Sequence, residues 1–147
     1  MPKLFGALIV AVASLSAAVS VHAGEISWQT DLETAAKLAA EKNVPLLLYF
    51  TSSNCPHCVR MKRTFAEPTV AGRMTDGFVA VWMDYGSHPK APAQFKVRGF
   101  PTTVMLRPDR AELRRVVGYQ SPDQFLATLK QVESVHVAGA NTATTVK

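Results

Sequence analysis

Two uninterrupted apolar runs, residues 44–50 and 78–83, stand out in a chain whose other apolar positions recur mostly with helical spacing. A run without polar alternation is typical of a strand covered on both faces, so each run predicts a central strand. The segment between them predicts two helices, over residues 55–66 and 69–76. A strand, helices and a second strand in this order favour a parallel pair joined by a right-handed crossover.

The remaining patterns predict elements on either side of this unit. They are an edge strand over 25–28, a helix capped by Thr30 or Asp31 that ends at Asn43, a short helix over 93–97, an antiparallel hairpin of residues 98–106 and 113–119, and a last helix with Ser121 as its cap and Pro122 at its first position. Residues 136–147 lack periodicity and are rich in alanine and threonine, which predicts a disordered tail. With no repeat and no linker, one α/β domain over residues 24–135 is expected.

The N-terminus has the pattern of an export signal. Lys3 precedes an uncharged, mostly apolar run over residues 4–21, and small residues lead up to Ala23. We therefore expect residues 1–23 to be a signal peptide that is cleaved after Ala23. A retained membrane anchor is the alternative because the run is nearly long enough to span a bilayer. Its second half is rich in serine and alanine and only weakly hydrophobic, which favours cleavage and no stable membrane insertion afterwards.

Charge narrows the classes of partner. The 147-residue chain has a formal net charge of +5, and cleavage after Ala23 would lower it to +4 by removing one lysine and no acid. This mild excess forms no stripe of the kind that binds nucleic acid, and export also argues against a nucleic-acid partner.

The only two cysteines, Cys55 and Cys58, follow the first apolar run as Cys-Pro-His-Cys. A helix that begins at Cys55 directs its free backbone N–H groups toward the sulfur, which favours the thiolate. Because the thiolate is the form that attacks disulfides, Cys55 is the candidate nucleophile and Cys58 its resolving partner. Pro56 and His57 are candidate supporting residues. His57 can donate a hydrogen bond or charge to the thiolate, and an exposed turn residue is the alternative.

Two cysteines at this spacing have three other known uses. A structural zinc site requires four ligands, and a second Cys-x-x-Cys is absent. A structural disulfide closing so short a loop would restrict the unfolded chain little. A soft ion such as Cu(I), held by Cys55, His57 and Cys58, remains the main alternative to redox exchange. The redox interpretation involves no metal and no organic cofactor, because the two sulfurs carry the electrons.

The order of Cys-Pro-His-Cys after the first apolar strand and Gly-Phe-Pro-Thr before the hairpin resembles the thioredoxin superfamily, over about residues 30–135. The resemblance implies a thioredoxin-like fold, with a central mixed sheet of four to five strands flanked by helices. It also implies that Pro101 is cis and faces the active disulfide, and that the backbone of Phe100 pairs with an extended substrate segment. An ordinary trans proline at a strand start is the alternative.

A finer resemblance links residues 62–70 and 117–122 with the C-terminal periplasmic domain of the transmembrane thiol:disulfide interchange protein. The dipeptide between the cysteines is similar to that of the Dsb-type disulfide oxidases. Two positions depart from thioredoxins proper. Tyr49 stands where they carry a buried aspartate, and Asn54 stands where a tryptophan usually precedes the first cysteine.

Together these features predict a periplasmic thiol–disulfide oxidoreductase that exchanges the Cys55–Cys58 pair with protein thiols or disulfides. In an oxidising compartment such a pair cycles only if a redox partner protein resets it. A binding domain that keeps the fold without turnover is a further alternative. The direction of electron flow depends on the reduction potential and the partner, and the sequence leaves it open.

Overall fold

The structure is a computed structural model that describes residues 24–143. The predicted signal peptide and residues 144–147 lie outside the described residues. Four strands form one mixed sheet in the order β2-β1-β3-β4. They are β1 (Leu46–Thr51), β2 (Val79–Asp84), β3 (Thr102–Leu106) and β4 (Glu112–Val117). β1 and β2 pair in parallel, while β3 pairs antiparallel with both β1 and β4. The predicted mixed sheet, its parallel pair and its hairpin are confirmed.

Five helices flank the described sheet. They are α1 (Leu32–Lys42), α2 (Pro56–Ala66), α3 (Pro68–Gly77), α4 (Ala91–Gln94) and α5 (Pro122–Ala143). The caps of α1 lie where the sequence predicts them. The Asp31 carboxylate accepts the Thr34 N–H at 2.7 Å, which lowers the pKa of Asp31, and Asn43 ends the helix in the left-handed conformation. None of these helices is both long enough and apolar enough to cross a membrane.

The predicted edge strand over residues 25–28 is wrong. Only Gln29 pairs with the sheet, through an isolated parallel bridge to β2. Its N–H donates to the Ala80 carbonyl and its carbonyl accepts the Trp82 N–H, both at 2.8 Å. The chain pairs with β2 at this one residue, so residues 25–28 form no ladder of hydrogen bonds with the sheet.

The predicted disordered tail is also wrong where the structure describes it, because α5 continues through residues 136–143. His136 is buried, and its Nε2 lies 3.0 Å from the carbonyl oxygen of Asn43, at the end of α1. This contact holds the helix against the rest of the fold beyond residue 135. The ordered domain is therefore longer at its C-terminal end than the predicted 24–135.

The sheet has two differently filled faces, because successive side chains of a strand point to opposite sides. The aromatic face carries Tyr49 of β1, Phe65 of α2 and Phe125 of α5, with Trp28 and Trp82 at its margin. The aliphatic face is filled mainly by small and branched side chains under α1 and α4: Ala35, Ala39, Leu46, Leu48, Val81, Val104 and Leu106. Helix α2, which carries the two cysteines, lies on the aromatic face.

Candidate active site

Cys55 and Cys58 form a disulfide at the first turn of α2, with their Cα atoms 5.2 Å apart. The two sulfurs differ in access. Cys58 is 1% exposed, whereas Cys55 is only partly buried. An attacking or leaving sulfur from another molecule therefore reaches Cys55 first, which is the asymmetry expected of a nucleophile and a resolving partner.

The chain places Cys55 at the end of α2 for local reasons. β1 ends at Thr51, and four residues later Cys55 is the N-cap, with an extended backbone at φ −133°. Pro56 occupies the first helical position, where its fixed φ fits and its missing N–H is not needed. Sγ of Cys55 accepts the Cys58 N–H at 3.1 Å, so the sulfur takes the place of a capping oxygen. One free N–H group of the first turn, that of Cys58, thus faces this sulfur.

Tyr49 lies beneath the disulfide, on the aromatic face. Its hydroxyl donates to the carbonyl oxygen of Cys58 at 3.2 Å, and its side chain is fully buried. Burial raises the pKa of Tyr49 to about 12. At the position where thioredoxins carry an acid, this chain therefore has a neutral donor that holds the backbone of the second cysteine. The sequence identifies Tyr49 as a departure from the family pattern, but does not reveal this contact.

The charged residues around α2 do not converge on the disulfide. His57 is exposed, and its side chain forms no hydrogen bond with any described residue. The guanidinium of Arg60 lies 4.0 Å from the ring centre of Tyr119, and the ammonium of Lys62 lies 5.1 Å from that of Trp82. Both cations are thus engaged by aromatic rings. Any effect of His57 on Cys55 has to act at the exposed helix start.

The Phe100–Pro101 peptide bond is cis, as predicted. The Pro101 carbonyl accepts the Gly118 N–H at 2.8 Å, and the Thr102 hydroxyl donates to the Gly99 carbonyl at 2.8 Å. These two bonds fix the segment directly before β3. Thr102 is in register with Phe50, so Pro101 lies at the same edge of the sheet as the end of β1 and the loop that leads to Cys55.

Phe100 presents free backbone groups at this edge. Its ring is half-buried and lies 5.8 Å from the ring of Tyr85. Neither its N–H nor its C=O forms a hydrogen bond with any described residue. Unpaired backbone groups directly before a strand are available to a peptide that adds to the sheet.

Residues 24–143 contain no group of three or more His, Cys, Asp or Glu side chains that is placed to hold a metal ion. His57 and His88 lie on different parts of the fold. His57 lies at the start of α2, whereas the ring of His88 contacts the carbonyl oxygen of Thr30 at 3.1 Å.

Comparisons with known proteins agree with this geometry. The model of the thioredoxin-like domain family matches residues 32–133. A thioredoxin from Thermus thermophilus is 27% identical, with a TM-score of 0.63, over 70% of this chain and 84% of that one. A DsbH oxidoreductase is 18% identical, with a TM-score of 0.68, over 84% and 95% of the two chains.

The oxidised C-terminal domain of DsbD from Neisseria meningitidis is 19% identical, with a TM-score of 0.61, over 71% of this chain and 98% of that one. At such identities the two Dsb structures show a shared fold. A search of curated protein sequences found no match. Because the family model covers most of the chain, and the cysteine pair and cis-proline lie at the sheet edge, the protein belongs to the thioredoxin-like domain family.

Proposed function

We propose that the protein is an exported thiol–disulfide oxidoreductase that exchanges its Cys55–Cys58 pair with the thiols or disulfides of protein substrates. One observation carries the proposal. The two cysteines are bonded at the start of α2, with one sulfur accessible and capping the helix and the other buried beneath it. Such an arrangement favours attack at one defined sulfur and rapid closure by the second.

The reducing half-reaction proceeds in two exchanges. The Cys55 thiolate attacks one sulfur of a substrate disulfide, whose S–S bond breaks and releases the first substrate thiolate. Cys58, after losing its proton, then attacks the Cys55 sulfur, breaks the mixed disulfide and releases the second thiolate. The enzyme is oxidised by two electrons and the substrate is reduced to two thiols, which take up protons from water. The oxidising half-reaction is the reverse.

The surrounding residues support these exchanges. Pro56 fixes the start of α2, and His57 stabilises the Cys55 thiolate from the exposed side. Phe100 pairs through its free backbone groups with the substrate segment, while Pro101 holds that segment opposite Cys55. Tyr49 holds the Cys58 backbone, but its raised pKa of about 12 keeps it protonated at neutral pH, so Tyr49 is not the base that removes the Cys58 proton.

The proposed setting is the periplasm. Residues 1–23 would direct export and be removed, and a redox partner protein would reset the cysteine pair after each cycle. Stabilising the reduced form makes a disulfide a stronger oxidant. With His57 acting on Cys55, the reduction potential should therefore be higher than the value of about −270 mV that is typical of thioredoxin.

Insulin reduction tests the activity. The wild type should accelerate the precipitation of insulin chains in the presence of dithiothreitol, and Cys55→Ser should abolish the acceleration. Cys58→Ser should retain the first attack and accumulate a mixed disulfide. Stoichiometric Cu(I) binding by a wild type that shows no thiol exchange would overturn the proposal in favour of metal handling.

Titration against glutathione tests the role of His57. His57→Ala should lower the reduction potential of the pair, whereas the same change at His88, whose ring contacts the Thr30 carbonyl, should leave it unaltered. A wild-type potential at or below that of thioredoxin would contradict the role given to His57.

A further inference from the structure

A groove adjoins the cis-proline on the side away from α2. It has a volume of about 260 Å³ and opens between the loop that precedes β3 and the edge strand β4. Its lining, which we call the basic groove, includes Lys96, Arg98, Gly99, Thr102, Arg115 and Val117. Because Gly99 and Thr102 flank the Phe100–Pro101 bond directly, the groove begins where the proposed substrate segment is held.

The basic groove has more positive than negative charge. The Arg115 guanidinium donates to both carboxylate oxygens of Glu112, at 3.0 and 2.7 Å. This interaction, with a smaller contribution from Lys96, lowers the pKa of Glu112. Neither Lys96 nor Arg98 forms an ion pair with any described residue, and both are exposed. Three cations therefore face one carboxylate, which is already engaged.

The groove also offers apolar surface beside its charges. Val117 is 72% exposed, on the same side of β4 as Arg115. Arg114 directly precedes Arg115 and therefore points to the opposite side of the sheet. There it lines a separate depression with Lys130. Lys96, Arg98 and Arg115 thus lie on one side of the edge strand, and Arg114 and Lys130 lie on the other.

A substrate segment that pairs with Phe100 would continue past Gly99 and Arg98 into this groove. An extended chain advances about 3.3 Å per residue, so residues close in sequence to the reacting cysteine would lie against this groove when the segment pairs with Phe100. We propose that the basic groove binds acidic side chains next to the reactive cysteine of the protein substrate, and so selects substrates with Asp or Glu beside that cysteine. This inference rests on the proposed oxidoreductase function and names the class of substrate.

Peptides with one cysteine joined by a disulfide to thionitrobenzoate test the inference. Three peptides differ only in the flanks of the cysteine, which are glutamates, lysines or glutamines. Attack by Cys55 on the peptide sulfur breaks the disulfide and releases the coloured thionitrobenzoate. With reduced wild-type protein at low ionic strength, the glutamate peptide should react about tenfold faster than the lysine peptide. High salt should remove most of this difference.

Matched charge reversals locate the effect. Arg98→Glu should invert the preference, and Arg98→Gln should reduce it, while Arg114→Glu, with the same change of net charge, should leave it as in the wild type. Circular dichroism of each variant checks the fold. An unchanged preference in both Arg98 variants, or an equal loss in Arg114→Glu, would overturn the inference.

The test separates this inference from the proposed function. Equal rates for the three peptides, all abolished by Cys55→Ser, would refute the groove but leave the oxidoreductase standing. Release that is no faster than in Cys55→Ser would refute both.

Discussion

On the aromatic face of the sheet, Phe65 contacts both Tyr49 and Phe125 edge to face, with ring centres 4.7 and 5.4 Å away. The aliphatic face buries one aromatic side chain, Phe50, and leucine, valine and alanine make up most of the rest of its core. Edge-to-face ring contacts are directional, whereas the burial of aliphatic side chains is not. The helix that carries the cysteines thus lies on the face with directional packing, which suits an element whose first turn has to be held at one angle.

Two truncations of similar size test this difference most strongly. Phe65→Ala and Leu48→Ala each remove a buried side chain and should lower the free energy of unfolding by about 3–4 kcal/mol, as measured in urea. Phe65→Ala should also slow disulfide exchange at Cys55 by roughly tenfold or more, because α2 loses its ring contact with Tyr49. Leu48→Ala should leave the exchange rate unaltered under conditions in which it is folded. Equal slowing by both variants would show that the two faces support the site alike.

The buried hydroxyl of Tyr49 predicts an alkaline effect. With its pKa at about 12 in the folded protein and about 10 in the unfolded chain, Tyr49 ionises first in the unfolded state. Its contribution to stability is complete below pH 10 and is lost as the pH rises to about 12, a fall of roughly 3 kcal/mol in the free energy of unfolding. Tyr49→Phe should lack this part of the decline and cost about 1 kcal/mol at neutral pH.

The exposed Tyr85 provides the control for that experiment, because Tyr85→Phe keeps the ring and should decline with pH as the wild type does. Other groups that titrate above pH 10 cancel in the comparison. A Tyr49→Phe curve parallel to that of the wild type would contradict the assigned burial of the hydroxyl.

The smallest effect concerns one ion pair on each side of the sheet. Arg73 of α3 binds Glu133 of α5 on the aromatic side, and Arg110 binds Glu33 of α1 on the other. Double-mutant cycles should give less than about 1 kcal/mol for either pair, with the Arg73–Glu133 pair the stronger, since its carboxylate is better shielded from solvent. Both values should decrease with salt. A larger coupling for the exposed Arg110–Glu33 pair would reverse the expected order.

Much of the fold could be predicted because its signals are local. The apolar run of β1, the caps of α1 and the proline at the start of α5 each depend on neighbouring residues. Which residues of β1 face α2 and which face α1 could not be predicted, because an uninterrupted apolar run does not distinguish the two faces of the strand. The extension of α5 left a weak signal, since His136 continues the helical spacing of Phe125, Leu129 and Val132.

The candidate site shows the same limit. Cys55 and Cys58 are three residues apart, so their pairing and their position at a helix start follow from the sequence. The basic groove combines Lys96 and Arg98, which lie in the loop before β3, with Arg115 of β4. Only the register of β3 and β4 brings these cations together, and no local pattern encodes that register.

The hydrogen bond between His136 and the carbonyl of Asn43 links the C-terminal half of α5 with the end of α1. It lies at the end of the sheet opposite the cysteines. It bears on how this protein should be shortened for expression. A recombinant fragment cut at the limits of the family match, residues 32–133, would discard the Asp31 cap at one terminus and this link at the other. A fragment that keeps both contacts is therefore wider than the family match and has to include both Asp31 and His136.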